Sequence, residues 1–159
     1  MFGLFETKDL QHPEFGVFSW ERGCWRGRCA LACGVPVPLI IAGSRKGPDH
    51  AAFAHAARLG EDLQQVESQL KQALFDHYQP YAEAFKRGRL TLEDGPFPAL
   101  ADANEALALA EIEAVVIMEL DGELATEICY SVPWDEEHIL GARFRGPSWI
   151  ELCGSTAMP

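Results

Sequence analysis

The pair Asp121-Gly122 sits between two long alternating runs, and no other feature limits the fold of this chain so tightly. Before it, Ala114, Val116, Met118 and Leu120 alternate with Val115, Ile117 and Glu119. After it, Leu124, Thr126, Ile128, Tyr130 and Val132 share a face against Ala125, Glu127, Cys129 and Ser131. Successive side chains of a strand point to opposite faces, and Asp-Gly tolerates the positive φ angles of a two-residue hairpin turn. The stretch therefore predicts a β-hairpin. Residues 139–144 add another strand, Arg145-Gly146-Pro147 turns the chain, and 148–153 makes a last short strand, so 112–153 reads as a C-terminal antiparallel meander.

A second meander is expected over 15–42. Residues 1–14 lack periodicity and read as an irregular lead-in or a short edge strand. An aromatic strand over 15–20 and a turn at Glu21-Arg22-Gly23 lead into a strand over 24–33 that places Cys29, Leu31 and Cys33 on one face. Gly27 inside it signals a bulge or a close backbone approach, Trp25 reads as core, and Arg26 and Arg28 face solvent or pair with the acidic second half of the chain. The third strand, 35–42, carries Val35, Val37, Leu39 and Ile41 on one side. Pro36 and Pro38 cannot donate to a ladder, so this strand is expected at a sheet edge.

Between the meanders, 49–109 reads as a helical insertion. Asp49 is placed to cap a helix in which Phe53, Ala56, Leu63, Val66, Leu70, Leu74, Tyr78 and Tyr81 recur at three- and four-residue steps. A slip at Gly60 predicts a bend or split, and Pro80 a kink or restart. Gly88, among Lys86, Arg87 and Arg89, suits the C-cap. Asp94-Gly95-Pro96 reads as an exposed connection and 99–109 as a short helix. The fold class is thus α+β: one domain over 1–159, antiparallel β-meanders at both ends forming one or two sheets, and a long helical insertion packed on the sheet. A chain of 159 residues suffices for one such core.

Charge separates the two halves. Residues 1–92 carry 11 Lys and Arg against 10 acids, whereas 93–159 carry only Arg143 and Arg145 against 14 acids, a net of −12 out of the overall −11. Such a surface repels nucleic acid and attracts cationic partners, although excess carboxylate also simply favours solubility. No apolar run approaches the roughly 18 residues of a membrane span, and the first residues lack a basic segment followed by an apolar core. Nucleic acid and membrane are therefore not expected partners, and a cytoplasmic location is expected. Five cysteines, Cys24, Cys29, Cys33, Cys129 and Cys153, are an odd number without zinc-site spacing and read as structural thiols.

The densest chemistry lies at Trp134, Asp135, Glu136, Glu137 and His138, between two apolar strands. Carboxylates near an imidazole can bind a metal, tune a general acid–base pair or dock a basic group. Strand alternation would put Glu136 and His138 on one side and Asp135 and Glu137 on the other, so a single cluster requires a turn, which Pro133 favours. The plainer alternative is an inter-strand loop with Trp134 anchored in the core and His138 bonded to a neighbouring carboxylate. His50 and His55, five apart, cannot share a metal as an i, i+4 pair does, and with His77 they read as half-exposed helix positions. Cys129 and His138 are the available nucleophile and base, but nothing in the sequence orients them. No phosphate loop, GxSxG or HExxH occurs, so no catalytic residue, metal ligand or cofactor is assigned, and the balance is against an enzyme.

Trp134-Asp135 followed by Glu137-His138, with Trp149 and Gly154 beyond, resembles the W-D-x-E-H-G signature of an uncharacterised family of small bacterial domains. Phe15-Gly16-Val17-Phe18 and Trp25-Arg26-Gly27 are similar to its opening strands, and the likeness spans 15–154. One departure is that Ile139 stands where the family has glycine, with Gly141 two positions on. The resemblance implies an α+β domain and a binding role of the kind found among immunity proteins of toxin systems. The expectation is a non-enzymatic protein whose acidic C-terminal half, with 134–138 as binding residues, docks a protein partner with a basic surface, such as a toxin. The alternatives are a small-ligand protein or enzyme centred on His138 with Asp135 and Glu137, and a self-assembling structural module suggested by the strand of Pro36 and Pro38. The sequence leaves the oligomeric state open.

Overall fold

The computed structural model describes residues 8–31, 34–93 and 95–155. Its chain order is β1 (Leu10–His12), β2 (Gly16–Glu21), β3 (Cys24–Ala30), β4 (Pro36–Ile41), the small β5 (Gly43–Ser44) and β6 (Gly47–Pro48), α1 (His50–Lys86), α2 (Ala103–Leu109), β7 (Glu111–Leu120), β8 (Glu123–Val132), β9 (Asp135–Arg145) and β10 (Ser148–Gly154). Eight strands form one sheet in the order β1-β2-β3-β4-β7-β8-β9-β10, and β5 pairs with β6 apart from it. The class is α+β, as expected. Each half of the sheet is antiparallel within itself, and the two halves meet at the parallel pair β4–β7. Parallel neighbours require a crossover of a dozen or more residues, which the helical segment provides.

The hairpin forms at Asp121 and Gly122, with φ of 54° and 81°, the left-handed pair that its two-residue turn demands. The irregular start of the chain contains the short edge strand β1, while residues 1–7 lie outside those described. The second strand ends at Ala30; Cys29 and Leu31 are buried, and Cys33 lies outside the described residues, as does Asp94 of the exposed connection. Trp25 is core, its Nε1 donating to the Ser44 carbonyl, and Arg28 donates to the Pro36 carbonyl.

Three expectations are corrected. β4 is central, between β3 and β7, and not at an edge. Its parallel register with β7 covers only Leu39–Ile41, beyond both prolines, so neither one interrupts that ladder. The self-assembly argument based on this strand loses its basis. Secondly, α1 runs unbroken through Gly60 for 37 residues. The slip there is only apparent, because Leu59 continues the buried stripe of Phe53, Ala56, Val66, Leu70, Leu74, Tyr78 and Ala82. A mid-helix glycine costs roughly 1 kcal/mol, which packing on both sides of it outweighs. Thirdly, Pro80 is exposed inside the same helix, flanked by buried Tyr78 and Ala82, and does not restart it. The helix ends with Gly88 at φ 67°, its N–H bonded to the Phe85 carbonyl and the Arg89 N–H to that of Ala84, the double bond of a glycine C-cap.

At 1.5 Å per residue α1 is about 55 Å long, enough to cross the sheet. Its first turns pack on β1 and β2, where Phe53 stacks on His12 with centroids 4.2 Å apart and meets Phe18 edge-on. Its far end reaches the β8–β9 corner, where Tyr78 meets Trp134 edge-on at 5.5 Å. Gly27 leaves room for Phe18: a Cβ there would lie 2.6 Å from the ring. A Cβ at Gly60 would meet nothing within 4 Å. Gly27→Ala is therefore expected to destabilise by about 1–3 kcal/mol and Gly60→Ala to stabilise by about 0.5–1 kcal/mol, read as opposite shifts of the urea midpoint at constant slope.

Candidate functional site

The corner forms because β9 carries excess chain. Val132 pairs with Asp135 and Tyr130 with Leu140, so a two-residue step on β8 faces a five-residue step on β9. The three surplus residues form a bulge, which breaks the alternation that would have separated Asp135 from His138. Pro133 and Trp134 make the turn before it, and Trp134 is fully buried beneath α1.

Asp135 is the hub. It is 6% exposed; its Oδ2 accepts the Tyr81 hydroxyl at 2.6 Å and its Oδ1 meets His138 Nδ1 at 2.9 Å and accepts the Glu137 N–H at 3.4 Å. His77 Nε2 stands 3.7 Å from Oδ2. Trp134 Nε1 donates to His77 Nδ1 at 3.1 Å, so that nitrogen is unprotonated and the ring's proton belongs on Nε2, toward the carboxylate. Sequence reasoning missed His77 and Tyr81 as members of the cluster. Their i, i+4 spacing on one helix face was the available signal, but nothing local says that the face meets residue 135.

Of the five expected binding residues, Trp134 and Asp135 are buried supports, while Glu136, Glu137 and His138 present side chains at the surface. Glu136 Oε2 accepts the Glu93 N–H at 2.8 Å and so ties the 87–102 connection to the corner. Two small cavities flank the hub, of about 140 Å³ beside Leu90–Leu92 and about 280 Å³ beside Leu152 and Cys153, and both are lined by Tyr81, Asp135 and His138. Cys129 faces away from this corner into a second cluster, its Sγ within 3.5 Å of Glu127 Oε1 and 3.4 Å of Ser155 Oγ, and burial pushes its thiol up to about 12. It does not pair with His138. Among the described residues, no group of three or more His, Cys, Asp or Glu side chains is arranged to hold a metal ion.

Burial alone would raise Asp135, but the Tyr81 and His138 hydrogen bonds and the nearby imidazole bring it below the ordinary carboxylate range. The same Asp135 hydrogen bond and charge raise His138 above the usual histidine value. Burial lowers His77 and, with the Asp135 bond, pushes Tyr81 up to about 12. At neutral pH the hub is an ionised carboxylate with a neutral His77, a neutral Tyr81 and a readily protonated His138. An ordered Asp–His pair of this kind can hold a cation-like imidazolium at the surface or take a proton at Nε2, and among the described residues no side chain bonds that nitrogen.

Asp135, depressed in the folded state, stabilises above its unfolded pKa and loses that contribution as pH falls through the folded value. His77, also depressed, stabilises above the ordinary histidine pKa and loses that on acidification, whereas raised His138 contributes below it and loses that as pH rises through its folded value. Asp135→Asn is expected to bring His138 down toward the ordinary value and to lower His77 further, because both rings lose the same attracting charge. NMR titration of the ring protons measures both; an unmoved His138 would show that the Asp135 bond is absent.

Neither a curated protein nor a solved structure gives a match. No helix among the described residues is long and apolar enough to cross a membrane. The sequence pattern of a family described as a domain of unknown function, DUF6985, matches residues 14–156, which include every strand from β2 onward, both helices and the whole corner. The chain belongs to the DUF6985 family.

Proposed function

We propose that this is a non-enzymatic, cytoplasmic binding protein whose acidic C-terminal half docks a protein partner with a basic surface. The observation that supports it is how the two arginines of that half are used. Arg143 bridges Glu127 at 2.7 Å and Glu151 at 3.0 Å, and Arg145 bridges Glu123 at 3.3 Å while donating to the Leu120 and Leu124 carbonyls. Both cations are consumed internally. Glu111, Glu119, Asp121 and Glu137 stay exposed, and among the described residues no Lys or Arg bridges to them. Uncompensated carboxylates on a rigid sheet raise the association rate of a cationic protein and discriminate against anionic ones.

The concrete form is an immunity protein of a bacterial toxin system, in which carboxylates occupy the place of substrate phosphates on a basic nuclease toxin. The resemblance of the 134–138 signature to small bacterial domains of such systems motivates this form. Glu136, Glu137 and His138 supply the contact, and Trp134 and Asp135 hold the corner that presents them. A second reading, a small-ligand protein or enzyme centred on His138, draws on its free Nε2 and on the cavities beside it. In that case His138→Ala abolishes a ligand response or turnover that charge reversal elsewhere leaves intact.

The test is calorimetric titration against basic proteins encoded beside this one, at rising salt. Affinity is expected to fall steeply between low and physiological ionic strength, and Glu136→Lys with Glu137→Lys to weaken it at least tenfold, mainly through a slower association rate. Absence of any salt-sensitive binding removes this reading.

A further inference from the structure

A larger cavity lies away from the corner. It has a volume of about 480 Å³ and lies between α1, α2 and the sheet, with Leu63, Leu70, Leu107, Ile112 and Tyr130 on its walls. That volume is within the range of small-molecule sites, and the walls are mostly apolar. At its strand side the β7–β8 register shifts between Ile112 and Ala114, opposite Tyr130 and Cys129, a bulge of the kind that re-aims side chains beside sites.

Tyr130 is the polar residue on the strand side of this wall, with Gln64 and Glu67 on the helix side. The other tyrosines are satisfied: Tyr78 donates to the Pro98 carbonyl and accepts the Leu100 N–H, and Tyr81 bonds Asp135. Tyr130 is only 2% exposed as a residue and among the described residues its hydroxyl has no hydrogen-bond partner, but the oxygen is not itself fully buried, and Tyr130 lines the cavity. A hydroxyl that opens on such a space is satisfied by what fills it, water or the polar atom of a ligand.

On the helix side, Gly60, Leu63, Gln64 and Glu67 recur at helical spacing along the cavity. Gly60 is on that stripe of the lining, and a Cβ there meets nothing within 4 Å. A more open, polar cleft of about 420 Å³, sharing Gln64 and Glu67 and adding Ser68, Lys71 and Asn104, lies beside it.

We infer that this cavity is a binding site for a small, mainly apolar molecule carrying one hydrogen-bonding oxygen, which pairs with the Tyr130 hydroxyl while the apolar body lies among Leu63, Leu70, Leu107 and Ile112. The site is independent of the acidic docking surface.

The test uses 2-naphthol and 2-methylnaphthalene as a pair matched in shape and differing in the oxygen, added to the full chain labelled for ¹⁵N NMR. 2-Naphthol is expected to shift the amides of residues 60–70, 107–112 and 130, and 2-methylnaphthalene to bind about two- to tenfold more weakly, the worth of one neutral hydrogen bond. Tyr130→Phe, which retains the ring, should bring the two affinities together. Gly60→Leu should abolish binding of both while raising the thermal midpoint, so that lost binding is separated from lost folding. Equal affinities in the wild-type chain, binding that survives Gly60→Leu, or no shift at these amides at any probe concentration would each overturn the assignment. So would shifts at the same amides that follow protein concentration without a probe, since a second copy would then be the occupant.

Discussion

The fold depends on burying one stripe of α1 against one face of the sheet. Phe53 to Ala82 form a buried ridge, apolar except at Asp62, and the core that it closes includes Phe18 and Trp25 from the first half, Ile117, Ile128, Tyr130 and Phe144 from the second, and Trp134 at the corner. Most of a helix's stability in a protein comes from packing its apolar face and not from propensity, and the glycine and proline of α1 lower that propensity further. Tertiary burial supplies what local propensity lacks. The same contact decides the topology, because a chain that leaves β4 and crosses the whole sheet must return before it can pair β7 with β4 in parallel.

The sheet's other face is organised by a carboxylate. Glu127 is fully buried, with Oε2 on Arg143 Nε at 2.7 Å and Oε1 on Ser155 Oγ at 2.6 Å, in a small cluster that includes Ile40, Val116 and Cys129. Buried pairs add little net stability, but removing one partner strands a charge, so the arrangement fixes the register of β8, β9 and the end of β10 more than it strengthens them. Gly141 belongs to this cluster: a Cβ there would stand 2.7 Å from the Glu127 carboxyl carbon. The absence of a side chain at 141 is thus a packing requirement of the opposite face, separate from the chemistry of the histidine three positions before it.

Legibility in the sequence varied with the range of the interaction. The hairpin at Asp121-Gly122, the Asp49 cap and the glycine cap at Gly88 were all readable, because each is determined by residues within a few positions. The central position of β4 was not, since prolines report only which N–H groups are missing and not how far a neighbouring ladder extends. At the corner the residue types were visible and their arrangement was not. Asp135 gathers Tyr81 from 54 positions away, and Trp134 gathers His77 from 57, through a helix whose docking no local pattern specifies.

Sequence alone determined the class of fold, the hairpin turn, the acidic second half and the composition of the 134–138 segment. These follow from periodicity, turn chemistry and charge, all of which are local or additive. Only the tertiary structure decided that both meanders form a single sheet, that Asp135 is a buried hub with Glu136, Glu137 and His138 at the surface, and that Gly60 and Tyr130 line one cavity. Each of these depends on which faces come into contact across the core, and that is settled by packing among residues remote in the chain.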